Sequence, residues 1–164
     1  MVVEPEVKRR VVGKIDQKKD EIISFLQDLV KVPSLSGEEG SAQDLVAKKF
    51  EQIPGLEIDI WEPSIEKLAE YPLHPLRLTP WSYKNRPNVV GTLKGKGTGS
   101  SLILNGHIDV VSPEPVKAWK IDPWSATIED GKIYGRGACD MKGGIAAMTY
   151  SVLSILEVGI ELKG

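Results

Sequence analysis

The chain has one cysteine and two histidines in 164 residues. A single cysteine cannot close an internal disulfide, so the fold must rest on its core. Charge of one sign is also scarce: 21 basic residues meet 23 acidic ones, and a net charge of −2 offers no broad field to a polyanion. The clusters Lys8-Arg9-Arg10 and Lys18-Lys19 read as solvated faces. No apolar run approaches the roughly 20 residues that cross a bilayer. Met1 to Asp20 is charged throughout and lacks the apolar stretch of a signal peptide. Nucleic acid and membrane are therefore not expected as partners, and cytoplasmic residence is. What is present suits a globular chain: 41% hydrophobic and 27% charged residues, too apolar for disorder and long enough to enclose one core.

Ile15, Ile22, Ile23, Phe25, Leu26, Leu29 and Val30 recur at helical spacing. They predict a long amphipathic helix stopped at Val32-Pro33, because proline disfavours helical geometry in the residue before it. Ser36-Gly37-Glu38-Glu39 has capping-box form, with Ser36 taking orphan amides and Glu39 reaching back. A second helix should run from there to about Gln52, burying Ala42, Leu45, Val46 and Phe50. Leu56 to Trp61 alternates with period two and predicts a strand; a short helix is expected over Ser64–Tyr71. Tyr71 to Pro87 holds four prolines and reads as an irregular surface excursion.

Strands are expected again over Asn88–Leu93 and, after the turn Gly95–Gly99, over Ser101–Asn105. The run of apolar residues in the latter suits a strand covered on both faces. Asp130-Gly131 between Thr127–Glu129 and Lys132–Tyr134 is a two-residue hairpin signal. Met141 to Val158 is helical by period, with Ala147, Met148, Val152, Ile155 and Leu156 expected inward and Gly159 as its C-terminal cap. The final Ile160–Gly164 looks like the approach to a further strand. There is no internal repeat.

Two segments carry the chemistry. Asn105-Gly106-His107-Ile108-Asp109 closes an apolar run, and Gly135-Arg136-Gly137-Ala138-Cys139-Asp140-Met141-Lys142-Gly143-Gly144 follows about thirty residues later. Imidazole nitrogen suits zinc, provided the other ring nitrogen is held by a carboxylate or carbonyl. In extended chain Asp109 lies on the same side as His107 and can do this, while Gly106 keeps the approach clear. Asp140 precedes a helix, where amides favour negative charge, and its two oxygens can bridge two cations about 3.5–4 Å apart, an arrangement suited to amide hydrolysis.

Blander readings compete. Asp140 alone could be a helix cap. Gly135-x-Gly137-x-x-Asp140 imitates a dinucleotide fingerprint but follows a hairpin and has Asp where the third glycine belongs. Gly91 to Lys96 resembles a phosphate loop but leads into a strand. Cys139 could be a nucleophile paired with His107 in a thiol hydrolase, or a small buried filler, which is the expectation here. His74 is assigned to the surface, and Trp61, Trp81, Trp119 and Trp124 to packing.

These strings, with Trp119 to Trp124, Asp130 to Gly137 and Pro33 to Glu39, resemble the zinc-dependent amidohydrolase and metallopeptidase family. Its members include acetylornithine deacetylase, succinyl-diaminopimelate desuccinylase, aminoacylase-1 and carboxypeptidase G. The resemblance implies that His107 ligates zinc, that Asp109 serves catalysis by steadying His107, that Asp140 bridges two zinc ions, and that Asp140–Met141 is a cis peptide. Cobalt is a possible substitute for zinc. It further implies an α/β fold: the N-terminal part of a three-layer αβα catalytic domain with a mixed, largely parallel central sheet, phosphorylase/hydrolase-like and of the zinc exopeptidase type.

Family members carry a Glu-Glu pair after the helix that follows the bridging aspartate, one glutamate being the general base, and then a lid domain through which they dimerise. No such pair follows that helix here. Residues 1–164 are thus expected to be the first portion of the catalytic domain, truncated before the lid, inactive alone, and prone to self-association through an unpaired sheet edge. The parent is expected to be a homodimeric deacylase of an N-acyl amino acid or related amine; the alternative is a non-catalytic binding module that keeps the fold.

Overall fold

The computed structural model describes residues 4–71 and 82–164. In chain order the elements are α1 (Pro5–Gln17), α2 (Lys19–Lys31), α3 (Gly40–Phe50), β1 (Glu57–Trp61), α4 (Ile65–Ala69), β2 (Asn88–Thr92), β3 (Thr127–Glu129), β4 (Lys132–Tyr134) and α5 (Gly143–Glu157). His74, Trp81 and most of the expected Tyr71–Pro87 excursion lie outside the described residues. Among the described residues no helix is long and apolar enough to cross a membrane.

The core is helical. Phe25 and Leu29 of α2, Ala42 and Val46 of α3, and Ile145, Ala146, Tyr150 and Leu153 of α5 close around Ile53 and Ile108. The Phe25 and Tyr150 rings are tilted at 6.1 Å, a separation at which aromatic pairs attract. The expected helix ending at Val32 is present, but the chain breaks at Lys18, so Ile15 belongs to a separate α1. Helix α1 buries no side chain. It is tied to the far end of α5 by Lys14 and Lys18 on Glu157, at 3.6 and 3.0 Å, and by Arg10 donating to the Val158 carbonyl.

Helix α5 keeps its predicted phase only in part, Met148 and Leu156 packing partly buried against the core as expected. Ile145, Ala146, Thr149, Tyr150, Leu153 and Ser154 are buried, whereas Ala147 is exposed. The buried stripe includes a threonine and a serine, so counting apolar residues alone rotated the predicted face. The end is as predicted: Gly159, at φ +77°, lets its amide reach the Leu156 carbonyl and that of Ile160 reach the Ile155 carbonyl, a Schellman cap.

The α/β class holds, and the strands pair as two antiparallel ribbons, β1 with β2 and β3 with β4. The Asp130-Gly131 hairpin is as expected, both residues having positive φ (+50° and +72°) as the favoured two-residue turn requires. A largely parallel central sheet is not formed among the described residues; the parallel pairing there is the single bridge Leu35–Val110. The predicted buried strand Ser101–Asn105 is neither a strand nor buried, with Leu102 81% and Ile103 86% exposed. A central strand needs a ladder partner on each side. The Ile160–Gly164 segment instead bonds to the glycine-rich turn before it, Lys96 donating to the Leu162 carbonyl and Gly99 to that of Lys163.

Candidate metal centre

The segment 107–110 alternates like a half-buried strand: Ile108 and Val110 are 5% and 4% exposed, while His107 and Asp109 point outward. Burying Ile108 among α2, α3 and α5, at about 1.5–3 kcal/mol for such a side chain, fixes the backbone from which the imidazole projects. A second anchor comes from the α2–α3 connection. The Val110 amide donates to the Ser34 carbonyl at 2.8 Å, and the buried Ser34 hydroxyl donates to the Ile108 carbonyl at 2.7 Å.

The other half of the site is a turn. Gly137 has φ +80°, and a Cβ there would stand 2.4 Å from Val110 Cγ1, so the turn closes directly against the histidine segment. A kink within Ala138–Lys142, where Asp140 (φ −125°, ψ 100°) and Met141 (φ −134°, ψ 33°) leave helical geometry, then carries Asp140, and the Asp140–Met141 peptide is cis, as the resemblance implies. Asp140 does not cap α5, whose N-cap position is Lys142.

These two halves meet. His107 Nε2 lies 3.0 Å from Asp140 Oδ1, and His107 Nδ1 lies 3.0 Å from the Asp109 carbonyl and 3.2 Å from its carboxylate Oδ1. The carbonyl can only accept, so Nδ1 carries the hydrogen and Nε2 is the nitrogen turned to Asp140. Burial works against charging this ring, but the Asp140 hydrogen bond, the Asp109 carbonyl and the two carboxylates outweigh it and raise its pKa. Both ring nitrogens face acceptors, so the arrangement favours a cation at Nε2, whether a proton or a metal ion.

The donor chemistry fits zinc in part. Two donors 2.0–2.1 Å from a tetrahedral ion are about 3.3 Å apart, close to the 3.0 Å observed. Asp140 is 86% exposed, and among the described residues its Oδ2 has no hydrogen-bond partner, leaving one oxygen for a second cation. Among the described residues no three His, Cys, Asp or Glu side chains converge to hold a metal ion. His107 and Asp140 are thus a partial donor set.

Other expectations change. Cys139 is exposed, not a buried filler. A Cβ at Gly106 would meet Met141 and Met148 at 3.0 Å, so this glycine serves packing against α5 more than access to His107. Ser36 does not cap α3; its hydroxyl donates to Asp109 Oδ2 at 2.8 Å. Glu39 accepts from the Gly37 amide and two bonds from Arg86, at 2.6 and 2.7 Å.

Two supporting residues escaped the sequence reading. Arg86 lies in the Tyr71–Pro87 segment, and no local pattern announces its pairing with Glu39. Lys142, inside the Asp140 motif, is fully buried and donates to the Leu29 and Val32 carbonyls, both at 2.8 Å. A lysine in an otherwise apolar and glycine-rich run was the available signal.

Residues 103–164, which include His107, Asp109 and Asp140, match the model of peptidase family M20/M25/M40. Over 155 residues the chain is 35% identical to an N-formyl-4-amino-5-aminomethyl-2-methylpyrimidine deformylase of Halalkalibacterium halodurans, covering 92% of this chain and 32% of that protein. The protein of the same name from Bacillus subtilis is 34% identical over 157 residues, with the same two coverages. A succinyl-diaminopimelate desuccinylase of Methylobacterium radiotolerans is 34% identical over 138 residues, 84% of this chain and 30% of that protein. The chain spans about a third of the length of these curated relatives.

Proposed function

We propose, from the premise that this chain belongs to peptidase family M20/M25/M40, that the protein carrying it hydrolyses the amide bond of an N-acylated small molecule to a carboxylate and a free amine. The observation that supports this reading is the 3.0 Å approach of His107 Nε2 to Asp140 Oδ1 across 33 residues of sequence. The substrate is an N-acyl amino acid or related amine. The relatives' names specify a formyl group in one case and a succinyl group in the other, so acyl size is not a family constant.

In this reading His107 and Asp140 hold zinc, two ions in the complete site, with cobalt able to substitute. The bound metal supplies Lewis acidity toward the amide carbonyl and acidifies a water molecule. The chain's own contribution is orientation. Asp109 fixes the ring so that Nε2 faces Asp140, and His107 and Asp140 would together hold the metal, with the second Asp140 oxygen available to a further ion. Residues 1–164 supply part of an α/β catalytic domain, about a third of the length of the relatives. The lid, the general base and the dimer contacts come from elsewhere in the protein.

The test uses protein expressed from the complete reading frame and assayed with the N-formyl aminomethylpyrimidine and with N-succinyl-diaminopimelate. Turnover of at least one is expected, lost with 1,10-phenanthroline and restored by Zn²⁺ or Co²⁺. The 164-residue polypeptide alone is expected to give none, because two donors do not complete a site. Turnover that survives chelation but is lost on alkylating Cys139 overturns the reading in favour of thiol chemistry. Binding of such compounds with no turnover overturns it in favour of a binding module.

A further inference from the structure

We infer that Ser36 is a positioning residue for the metal-binding histidine, acting through Asp109; this rests on the metal reading of His107 and Asp140. The geometry is a relay of four side chains. Ser36 Oγ donates to Asp109 Oδ2 at 2.8 Å, Asp109 Oδ1 lies 3.2 Å from His107 Nδ1, and His107 Nε2 lies 3.0 Å from Asp140 Oδ1. Each oxygen of Asp109 therefore has its own partner, one on the ring and one on the serine.

An aspartate carboxylate turns readily about its last torsion, which is broad and roughly two-fold. The ring is held by the Asp109 backbone carbonyl at 3.0 Å and by that carboxylate at 3.2 Å, and the Ser36 hydroxyl is what holds the carboxylate's second oxygen. Ser36 is able to do so because its backbone is fixed on both sides. Before it, Leu35 bridges to Val110, and Ser34 bonds to both Ile108 and Val110. After it, the Gly37 amide is held by Glu39, itself gripped by Arg86 through two bonds.

A hydroxyl placed for the local helix would bond the first amides of α3. That helix starts from Glu39 with no side-chain cap bond, and Ser36 turns instead to a residue 73 positions away. The hydroxyl thus supports the site rather than the helix.

The experiment measures Zn²⁺ affinity by chelator competition, and the Co²⁺ absorption spectrum, in protein from the complete reading frame. Ser36→Ala is expected to weaken Zn²⁺ binding about 10–100-fold, as loss of a residue supporting a metal ligand does, and to alter the Co²⁺ spectrum. Ser36→Thr, which keeps the hydroxyl, should restore both. Ser36→Val, of the same shape as threonine, should not, which separates the hydroxyl from bulk even where alanine disturbs folding. In an Asp109→Ala background Ser36→Ala should add no further loss, since both act on one path.

Affinity in Ser36→Ala or Ser36→Val equal to wild type, while His107→Ala abolishes it, overturns this inference and leaves the metal reading intact. Losses that multiply in the double variant also overturn it. A His107→Ala protein that binds Zn²⁺ as tightly as wild type overturns the metal reading itself.

Discussion

Lys142 is a cation with no exposed surface and, among the described residues, no ion-pair partner. Its ammonium instead meets the carbonyls of Leu29 and Val32 at the C-terminal end of α2, where the helix dipole is negative. Burial pushes its pKa down to about 8, so the charge is retained at neutral pH at a cost in desolvation. The position explains why that cost is tolerated: Lys142 stands two residues after Asp140 and opens α5, so it ties the aspartate turn to α2. Replacing it with methionine keeps much of the volume but takes the ammonium from both carbonyls, leaving that of Leu29 with the Val32 amide at 3.3 Å. Lys142→Met is expected to destabilise the protein by about 2–3 kcal/mol, the scale of lost hydrogen bonds to a charged group. Urea unfolding at pH 7 measures this, and an unchanged midpoint would show that water or rearrangement serves those carbonyls equally well.

Among the elements, α3 and the segment leading into β2 are joined by the Glu39–Arg86 pair, whose side chains are 9% and 14% exposed. A Cβ at Gly40 would stand 2.6 Å from the Asn85 carbonyl oxygen, so the two segments are in direct contact. Burial by itself would raise the Glu39 pKa, but the Arg86 bonds and the Gly37 amide outweigh it and lower the value. A carboxyl whose folded pKa lies below its unfolded one stabilises fully above the unfolded value, near 4.3, and loses that contribution as pH falls through the folded value. Wild-type stability should therefore drop below about pH 4.5 with a component that Glu39→Gln lacks. At pH 7 the same substitution should cost about 3 kcal/mol, because Arg86 is left without its carboxylate. Thermal melts at pH 7 and pH 3 test both. A Glu39→Gln protein with the wild-type pH profile would remove the pair from the acid response.

The same elements show what a sequence reveals. Local signals succeeded where the cause is local: the period of α2, the proline after it, the Asp-Gly turn of β3–β4 and the Gly159 cap all depend on neighbours in sequence. The His107 and Asp140 motifs were legible because their glycines and acids form specific strings. Ser36 was misread because Ser-x-x-Glu is a capping pattern wherever it occurs. Only the tertiary pairing of 34–36 with 108–110 diverts the hydroxyl to Asp109 and leaves Glu39 to Arg86. The strand expected at Ser101–Asn105 failed for a related reason: an apolar run records that a segment should be covered, not whether a partner strand lies beside it.

For the whole molecule, the helices that bury side chains pack into one core, while the described strands form two small ribbons. Helices α2, α3 and α5 bury one another around Ile108, whereas Leu102, Ile103, Leu104 and Val111, on either side of the His107 segment, are 81%, 86%, 47% and 69% exposed. Adjacent large aliphatic side chains this open to water, on a segment (Ser101–Asn105) that joins no ladder among the described residues, invite association edge to edge. The 164-residue polypeptide on its own should therefore self-associate with concentration in sedimentation velocity. A charge at the most exposed position, Ile103→Lys, should shift it toward monomer, since a lysine on an open edge opposes pairing. The helical core does not touch that side chain, so helical circular dichroism should stay as in wild type. A polypeptide that sediments as monomer at every concentration would mean that these side chains are covered in solution by its own chain, and the Ser101–Asn105 segment would then be paired after all.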